Sequence, residues 1–462
     1  MDLFGTAGIR GDAVERVTPE LALAVGRAAG RDGEEFVLAR DGRETGEALA
    51  AAVQSGLQSA GAAVAVAGTL PTPALAFASR GRRGVMLTAS HNPPTDNGIK
   101  LFVDGQEYDG DAEAVVEERV AADEPSVAWD SWGASRRLDV LAAYRTAVRE
   151  YAATHGAPLD GLHIAVDCGN GMASLATPQV LRELGGSVVT LNANVDGHFP
   201  GRPSKPTPET LADLRRFVAN DPDVAVGIGH DGDADRIVVV DADGEVVHED
   251  TVLAVLAEHY TERSEAADPV VVTTPNASAR IDERVRAAGG RVERVHLGAL
   301  HEGIARAERE GEAGTEVVFA AEPWKHVHTA FGGWIDGVVS AAVVARLVAR
   351  AGGVEPLRSP VTERPYRKVS VDCPDEAKTA VMTRVEDELP SLFDDATPDT
   401  EYGVRLEFPD ASWVLVRPSG TEPYVRVYAE SDAVDDLVER VVGEIESSVR
   451  KVRRGDSPRT GR

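Results

Sequence analysis

Cysteine is almost absent. Cys168 and Cys373 are the only two in 462 residues, and they stand far apart in the chain, which excludes a disulfide framework and a thiolate metal cage and predicts two reduced, buried thiols. Long apolar runs are missing as well. None approaches the roughly 20 residues needed to cross a bilayer, and Met1-Asp2-Leu3-Phe4-Gly5 has neither a basic start nor an apolar signal core. A soluble, cytoplasmic protein is expected. Positive charge is the third deficit: 48 basic side chains face 76 acidic ones, a formal charge of -28. Such a surface repels nucleic acid and anionic membranes, so neither is an expected partner. Lysine in particular is scarce. Lys100, Lys205, Lys325, Lys368, Lys378 and Lys451 are all there are, and every other cation is Arg. An acid excess of this halophilic type is tolerable where salt screens self-repulsion, and it makes each retained lysine informative.

What is present is a long chain with 43% hydrophobic residues. At about 100–200 residues per domain, that length predicts three or four domains. Thr18-Pro19-Glu20 opens a helix with Thr18 as its cap. The apolar run Phe36-Val37-Leu38-Ala39 is a strand, followed by a helix near Gly46 to Ala60 and a strand at Ala63 to Ala67. Phe4 to Gly11 reads as a glycine-punctuated loop. The strand/helix rhythm resumes at His163 to Asp167 and again from Glu249, so three similar α/β domains with mixed sheets are expected, at 1–155, 156–248 and 249–360. From 361 to 462 strands cluster before a closing helix, which predicts a smaller α+β domain with a frayed basic tail from Arg450.

Four loops carry chemistry. The strand Gly84-Val85-Met86-Leu87 stops at Thr88-Ala89-Ser90-His91-Asn92-Pro93, a turn that holds one hydroxyl at a sheet edge and makes Ser90 a candidate nucleophile. A serine that merely caps the turn is the plainer reading of this stretch alone. After the strand Val224 to Ile228 comes Asp231-Gly232-Asp233-Ala234-Asp235-Arg236, where a curved loop can aim three carboxylates at one hard cation; oxygen-only ligation favours Mg²⁺ over zinc. Arg236 can take phosphoryl oxygens. Arg417-Pro418-Ser419-Gly420-Thr421 offers a guanidinium, two hydroxyls and a loosened backbone for a phosphate monoester. Glu322, Lys325 and His326 can meet sugar hydroxyls, with His326 as a candidate proton carrier. Together these are the parts of phosphoryl transfer to and from a sugar.

In their order, Phe-Gly-Thr-Ala-Gly-Ile-Arg-Gly, Thr-Ala-Ser-His-Asn-Pro, Asp-Gly-Asp-Ala-Asp-Arg, Glu-Pro-Trp-Lys-His and Arg-Pro-Ser-Gly-Thr-Glu-Pro, these motifs resemble the α-D-phosphohexomutase family over nearly the whole chain. The resemblance implies four domains around a central cleft and a phosphoserine at Ser90. One Mg²⁺ per chain would be held by that phosphate and by Asp231, Asp233 and Asp235. It implies transfer between the 1- and 6-positions of a hexose or hexosamine phosphate through a sugar 1,6-bisphosphate that also serves as activator. Arg10 and Lys100 match family positions near the phosphoserine, and His91 follows it. Lys100 or His326 would move the hydroxyl proton, and Arg417, Ser419, Gly420 and Thr421 would clamp the non-reacting phosphate. Small sugar phosphates are the implied partners, for a monomer or homodimer. The sugar loop departs from the common Gly-Glu-x-Ser-Gly-His. Trp324 replaces a small hydroxyl residue and Lys325 a glycine, so Trp324 stacks on a sugar or fills space, Lys325 can grip an added anion, and glucose, mannose, glucosamine and pentose phosphates all stay open. A magnesium-dependent sugar-phosphate phosphatase and a non-catalytic sugar-phosphate binding protein are the alternatives.

Overall fold

The computed structural model describes residues 3–5, 8–419 and 422–454. They form two compact units, one holding the chain up to Val252 together with Val318–Pro360, the other holding Leu253–Val317 and the chain from Val361. In the first unit a sheet is built from β1 (Ile9–Asp12), β2 (Glu35–Arg40), β3 (Ala63–Thr69), β4 (Arg83–Leu87), β5 (Asp96–Val103), β6 (Gln106–Glu107) and β7 (Ser135–Arg137). The order is β1-β5-β4-β2-β3-β7, with β6 on β5. β2 lies parallel to β3 and β4, while β5 runs antiparallel to β4 and β1, so the sheet is mixed, as predicted. The buried run Phe-Val-Leu-Ala in β2 reads as continuously apolar because helices cover both faces of a largely parallel sheet. Thr18 caps the helix Pro19–Ala29 by accepting the Leu21 amide, with proline at its start. The expected Phe4-to-Gly11 loop is partly strand. Ile9 to Asp12 pair with Ile99 to Asp96, because β5 offers an edge that a glycine-rich segment can approach closely; a Cβ at Gly98 would lie 2.6 Å from the Ile9 carbonyl oxygen.

The second sheet is β8 (His163–Asp167), β9 (Ser187–Leu191), β10 (Val224–His230) and β11 (Ile237–Val240), ordered β11-β10-β8-β9. β10 and β11 form an antiparallel pair whose connection is the acidic loop. In the other unit β12 (Asp268–Thr273) and β13 (Arg291–Arg294) are parallel. β14 (Thr315–Glu322) begins in that unit and from Val318 belongs to the first, where it pairs with β15 (Lys325–Val327) around the turn at Pro323-Trp324, and a helix Gly337–Ala351 follows, capped by Asp336.

The C-terminal sheet, in the unit with β12 and β13, is antiparallel: β16 (Tyr366–Asp372), β17 (Thr397–Asp399), β18 (Val404–Glu407), β19 (Trp413–Pro418) and β20 (Tyr424–Glu430), ordered β16-β20-β19-β18-β17. Period-two alternation divides its faces. Val414, Val416, Val425, Val427 and Ala429 enter a core with the helices Asp375–Glu388 and Val434–Arg453. Arg417, Arg426 and Tyr428 take the opposite face. The last helix persists to Arg453, so the basic residues Arg450 to Arg453, expected to fray, are helical, where cations suit a helix C-terminus; the remainder of the tail lies outside the described residues.

Candidate active site

β4 ends at Leu87, and three residues later Ser90 adopts φ +50°, a left-handed conformation that costs a non-glycine residue energy. Its side chain is fully buried. Ser90 Oγ donates to Asp231 Oδ2 at 2.9 Å, and His91 Nδ1 lies 3.4 Å from Ser90 Oγ. Burial, then Arg236 and Arg10, pushes the His91 imidazole down to about 3, so the ring beside the hydroxyl is neutral.

Asp231, Asp233 and Asp235 each bring an oxygen within 4.8 Å of the others, all three buried. Burial and the two neighbouring carboxylates raise Asp231 well above the usual carboxylate range. Burial works the same way on Asp235, yet Lys100 and Arg236 hold it below that range. Asp233 Oδ2 accepts from Thr72 Oγ1 at 2.6 Å. Asp233 Oδ1 and Asp235 Oδ1 are buried with no hydrogen-bond donor, an expensive state for carboxylate oxygens. A hard divalent cation fits this donor set: it would satisfy both orphaned oxygens and cancel the repulsion.

Cations surround the group. Lys100 Nζ is 3.5 Å from Asp235 and 3.0 Å from Glu107; burial alone would lower its pKa, but Glu107 and Asp235 raise it. Arg236 Nε stands 3.6 Å from both Asp231 and Asp235. Arg10 acts electrostatically on Asp235, and its Nε is buried without a hydrogen-bond partner. Lys325 bridges to Arg236 through the backbone, and its Nζ reaches Glu322 at 3.4 Å. These residues are brought together.

His326 is 1% exposed. Its Nδ1 lies 3.1 Å from Ser340 Oγ, which also meets His328 Nε2 at 2.8 Å, and burial pushes it down to about 3. It is therefore an interior neutral histidine. Trp324 takes φ +70° and packs against the core of the second sheet. In the other unit, Arg417 Nη2 donates to the Tyr428 hydroxyl at 3.0 Å, and Ser419 is buried with its Oγ unpartnered. Gly420 and Thr421 lie outside the described residues. Sequence reading missed Lys378, whose Nζ donates at 2.6 Å to the carbonyls of Ser419 and Glu422 and braces the loop ends; lysine scarcity was the available signal. It also missed Thr72 and Arg43, which nothing in their local sequence distinguishes.

A buried hydroxyl hydrogen-bonded into a three-carboxylate cluster that fits a divalent cation suits phosphoryl transfer, here on α/β sheets. The chain belongs to the phosphoglucomutase/phosphomannomutase family. Its alpha/beta/alpha domain I matches residues 1–126, domain II 142–244, domain III 248–366 and the C-terminal domain 369–448. A phosphopentomutase of Thermococcus kodakarensis is 42% identical over 439 residues, covering 93% of this chain and 94% of its own. A probable phosphoglucosamine mutase of Methanopyrus kandleri is 41% identical over 465 residues, covering 96% and 99%. Among solved structures, a phosphoglucomutase/phosphomannomutase family protein from Burkholderia thailandensis aligns with TM-score 0.84 at 25% identity, covering 99% of this chain and 98% of that one. The protein is a phosphomutase, an isomerase that relocates a phosphoryl group within a sugar phosphate. No helix among the described residues is long and apolar enough to cross a membrane.

Proposed function

We propose that Ser90 carries the phosphoryl group and passes it between the 1- and 6-positions of a hexose or hexosamine phosphate. The observation that carries this reading is the 2.9 Å bond from Ser90 Oγ into the three-carboxylate group. Phosphorylated Ser90 gives its phosphoryl group to a sugar hydroxyl: the phosphorus–Oγ bond breaks, a phosphorus–sugar oxygen bond forms, and the hydroxyl proton is passed on to the released Ser90 Oγ. The bound sugar bisphosphate then reverses the step with its other phosphate, restoring phosphoserine. Asp231, Asp233 and Asp235 would hold Mg²⁺, which offsets the charge on phosphoryl oxygens when bound. Arg10 and Arg236 spread positive charge over the same oxygens. Lys100, beside Asp235, is the better-placed proton carrier, since His326 is packed against Ser340. His91 stays neutral next to Oγ. Glu322 and Lys325 meet sugar hydroxyls, and Arg417 with Ser419, Gly420 and Thr421 holds the phosphate not in transfer.

We place domain boundaries near 155, 248 and 360, and the enzyme in the cytoplasm as a monomer or homodimer; small free sugar phosphates are its partners, and its acid excess disfavours nucleic acid and anionic membranes. A second reading, pentose 1- and 5-phosphates as substrates, is favoured by the name of the Thermococcus relative.

The test is a panel of hexose, hexosamine and pentose 1-phosphates with Mg²⁺ and a trace of bisphosphate. Ser90→Ala is expected to lower turnover at least ~10³-fold, and mass spectrometry of the turning-over enzyme to show phosphate on Ser90. A serine that never carries phosphate overturns the proposal. Steady release of inorganic phosphate without isomer would point to the phosphatase instead.

A further inference from the structure

Arg43 follows β2 in Asp41-Gly42-Arg43, and its side chain is wholly buried. Its Nε donates to Asp41 Oδ2 at 3.1 Å. Nη1 donates to the carbonyls of Pro93 and Asp96, the latter at 2.8 Å. Nη2 donates to the carbonyls of Ser90 and Asn92 at 2.9 and 2.8 Å. Every N–H of the guanidinium is thus spent inside the protein, four of them on the single turn that contains Ser90. A sixth contact, the Phe199 ring at 5.2 Å, covers the group. An arginine so used has no donor left for a substrate phosphate.

The turn it grips is strained. Ser90 sits at φ +50°, a conformation that persists for a serine only when its surroundings over-determine it. Both backbone polar atoms of Ser90 trace back to Asp41. The carbonyl is held by Arg43, itself fixed by Asp41; the amide donates to Thr88 Oγ1 at 2.9 Å, and Thr88 Oγ1 donates to Asp41 Oδ2 at 2.7 Å. The direction of Ser90 Oγ toward Asp231 is the geometric consequence of a backbone pinned at both ends.

We propose that Asp41, Arg43 and Thr88 form a bracket that positions Ser90, with Arg43 as its centre, so that phosphoryl transfer depends on a guanidinium that touches no substrate. This rests on the reading of Ser90 as phosphoryl carrier. Lysine cannot replace Arg43, because three donors radiating from one nitrogen do not reach four carbonyls spread along a turn.

The experiment compares Arg43→Lys and Thr88→Val with wild type in the full chain, below the melting temperature of each. For both variants kcat is expected to fall, at least 30-fold for Arg43→Lys and about tenfold for Thr88→Val, while KM for the sugar phosphate stays within threefold. The single-turnover rate of Ser90 phosphorylation by glucose 1,6-bisphosphate should fall in parallel with kcat. A merely structural role would lower the melting temperature and leave those ratios unchanged in the folded enzyme. Thr88→Val replaces a buried hydroxyl by a methyl of the same shape and keeps the test available if Arg43→Lys does not fold. If Ser90→Ala is inactive while the folded variants turn over at the wild-type kcat, the bracket is wrong and the serine reading stands. If Ser90→Ala keeps its activity, the serine reading fails and this proposal falls with it.

Discussion

An imidazole is costlier to bury charged than neutral, and His326, 1% exposed against Ser340, is held near 3 instead of 6.5. Its folded pKa is depressed. The stability it contributes is therefore complete above pH 6.5 and is withdrawn as pH falls toward 3, with roughly 5 kcal/mol at stake. His326→Gln keeps a hydrogen-bonding partner for Ser340 and does not titrate, so its melting temperature is expected to fall less steeply than wild type between pH 6.5 and 4. Parallel curves would show that His326 does not feel that cost. The chain alone marks this histidine only as one polar residue near a glutamate, and that is why it was also a candidate proton carrier; depth in the fold is what separates the two roles. Lysine scarcity was the better guide. Lys100 stands by Asp235, Lys325 by Glu322, Lys205 acts on His91, Lys378 braces the Ser419 loop and Lys368 lies over the Tyr428 ring, leaving Lys451 with Glu388. That the retained lysines matter was legible from composition. Which partners Lys368 and Lys378 take was not, because the first follows from the register of β16 on β20 and the second from a helix packed beneath a loop.

At the scale of elements, the acidic turn between β10 and β11 was legible because three carboxylates at alternate positions after an apolar strand have few uses, whereas several of its supports were hidden. The helix Thr72–Ala78, whose first residue bonds Asp233, is buried nearly all round, so no polar face announces a period. The helix Leu300–Glu310 carries Gly303 in its interior, where a Cβ would come within 2.4 Å of Val295; packing overrides a poor helix former. The sugar loop from Ala321 to His326 is the end of one strand and the start of the next around a tight turn where Trp324 takes φ +70°. The turn between β10 and β11 itself stores repulsion that a cation would relieve, and this predicts a trade-off. Without Mg²⁺, Asp233→Asn removes one buried charge while an amide oxygen still accepts from Thr72, so it should melt no lower than wild type. Added Mg²⁺ should raise the wild-type melting temperature by several degrees through linkage and the variant's by little. Equal magnesium shifts in the two proteins, followed by calorimetry with and without chelator, would remove the metal from this turn.

Over the whole molecule the decisive quantity is the net charge of -28, fully legible from composition and silent about fold. Self-repulsion of that size opposes compactness, while exposed ion pairs such as Arg291 with Asp268 and Arg367 with Asp435 oppose unfolding. Salt weakens both, so the sign of its effect depends on which is larger. An exposed pair is worth at most about 1 kcal/mol, and 28 uncompensated negative charges repel one another in numbers that such pairs do not match. Screening should therefore stabilise the fold. The Debye length falls from about 10 Å at 0.1 M to about 3 Å at 1 M, so the melting temperature in KCl is expected to rise by about 10 °C over that interval and to flatten beyond it, where little repulsion is left to screen. Chloride is the appropriate anion, because sulfate would add stabilisation through exclusion from the surface whatever the charge. A rise that continues with constant slope above 1 M would mean exclusion and not screening. A fall between 0.1 and 1 M would mean that the ion pairs, and not the excess charge, govern the stability of this chain.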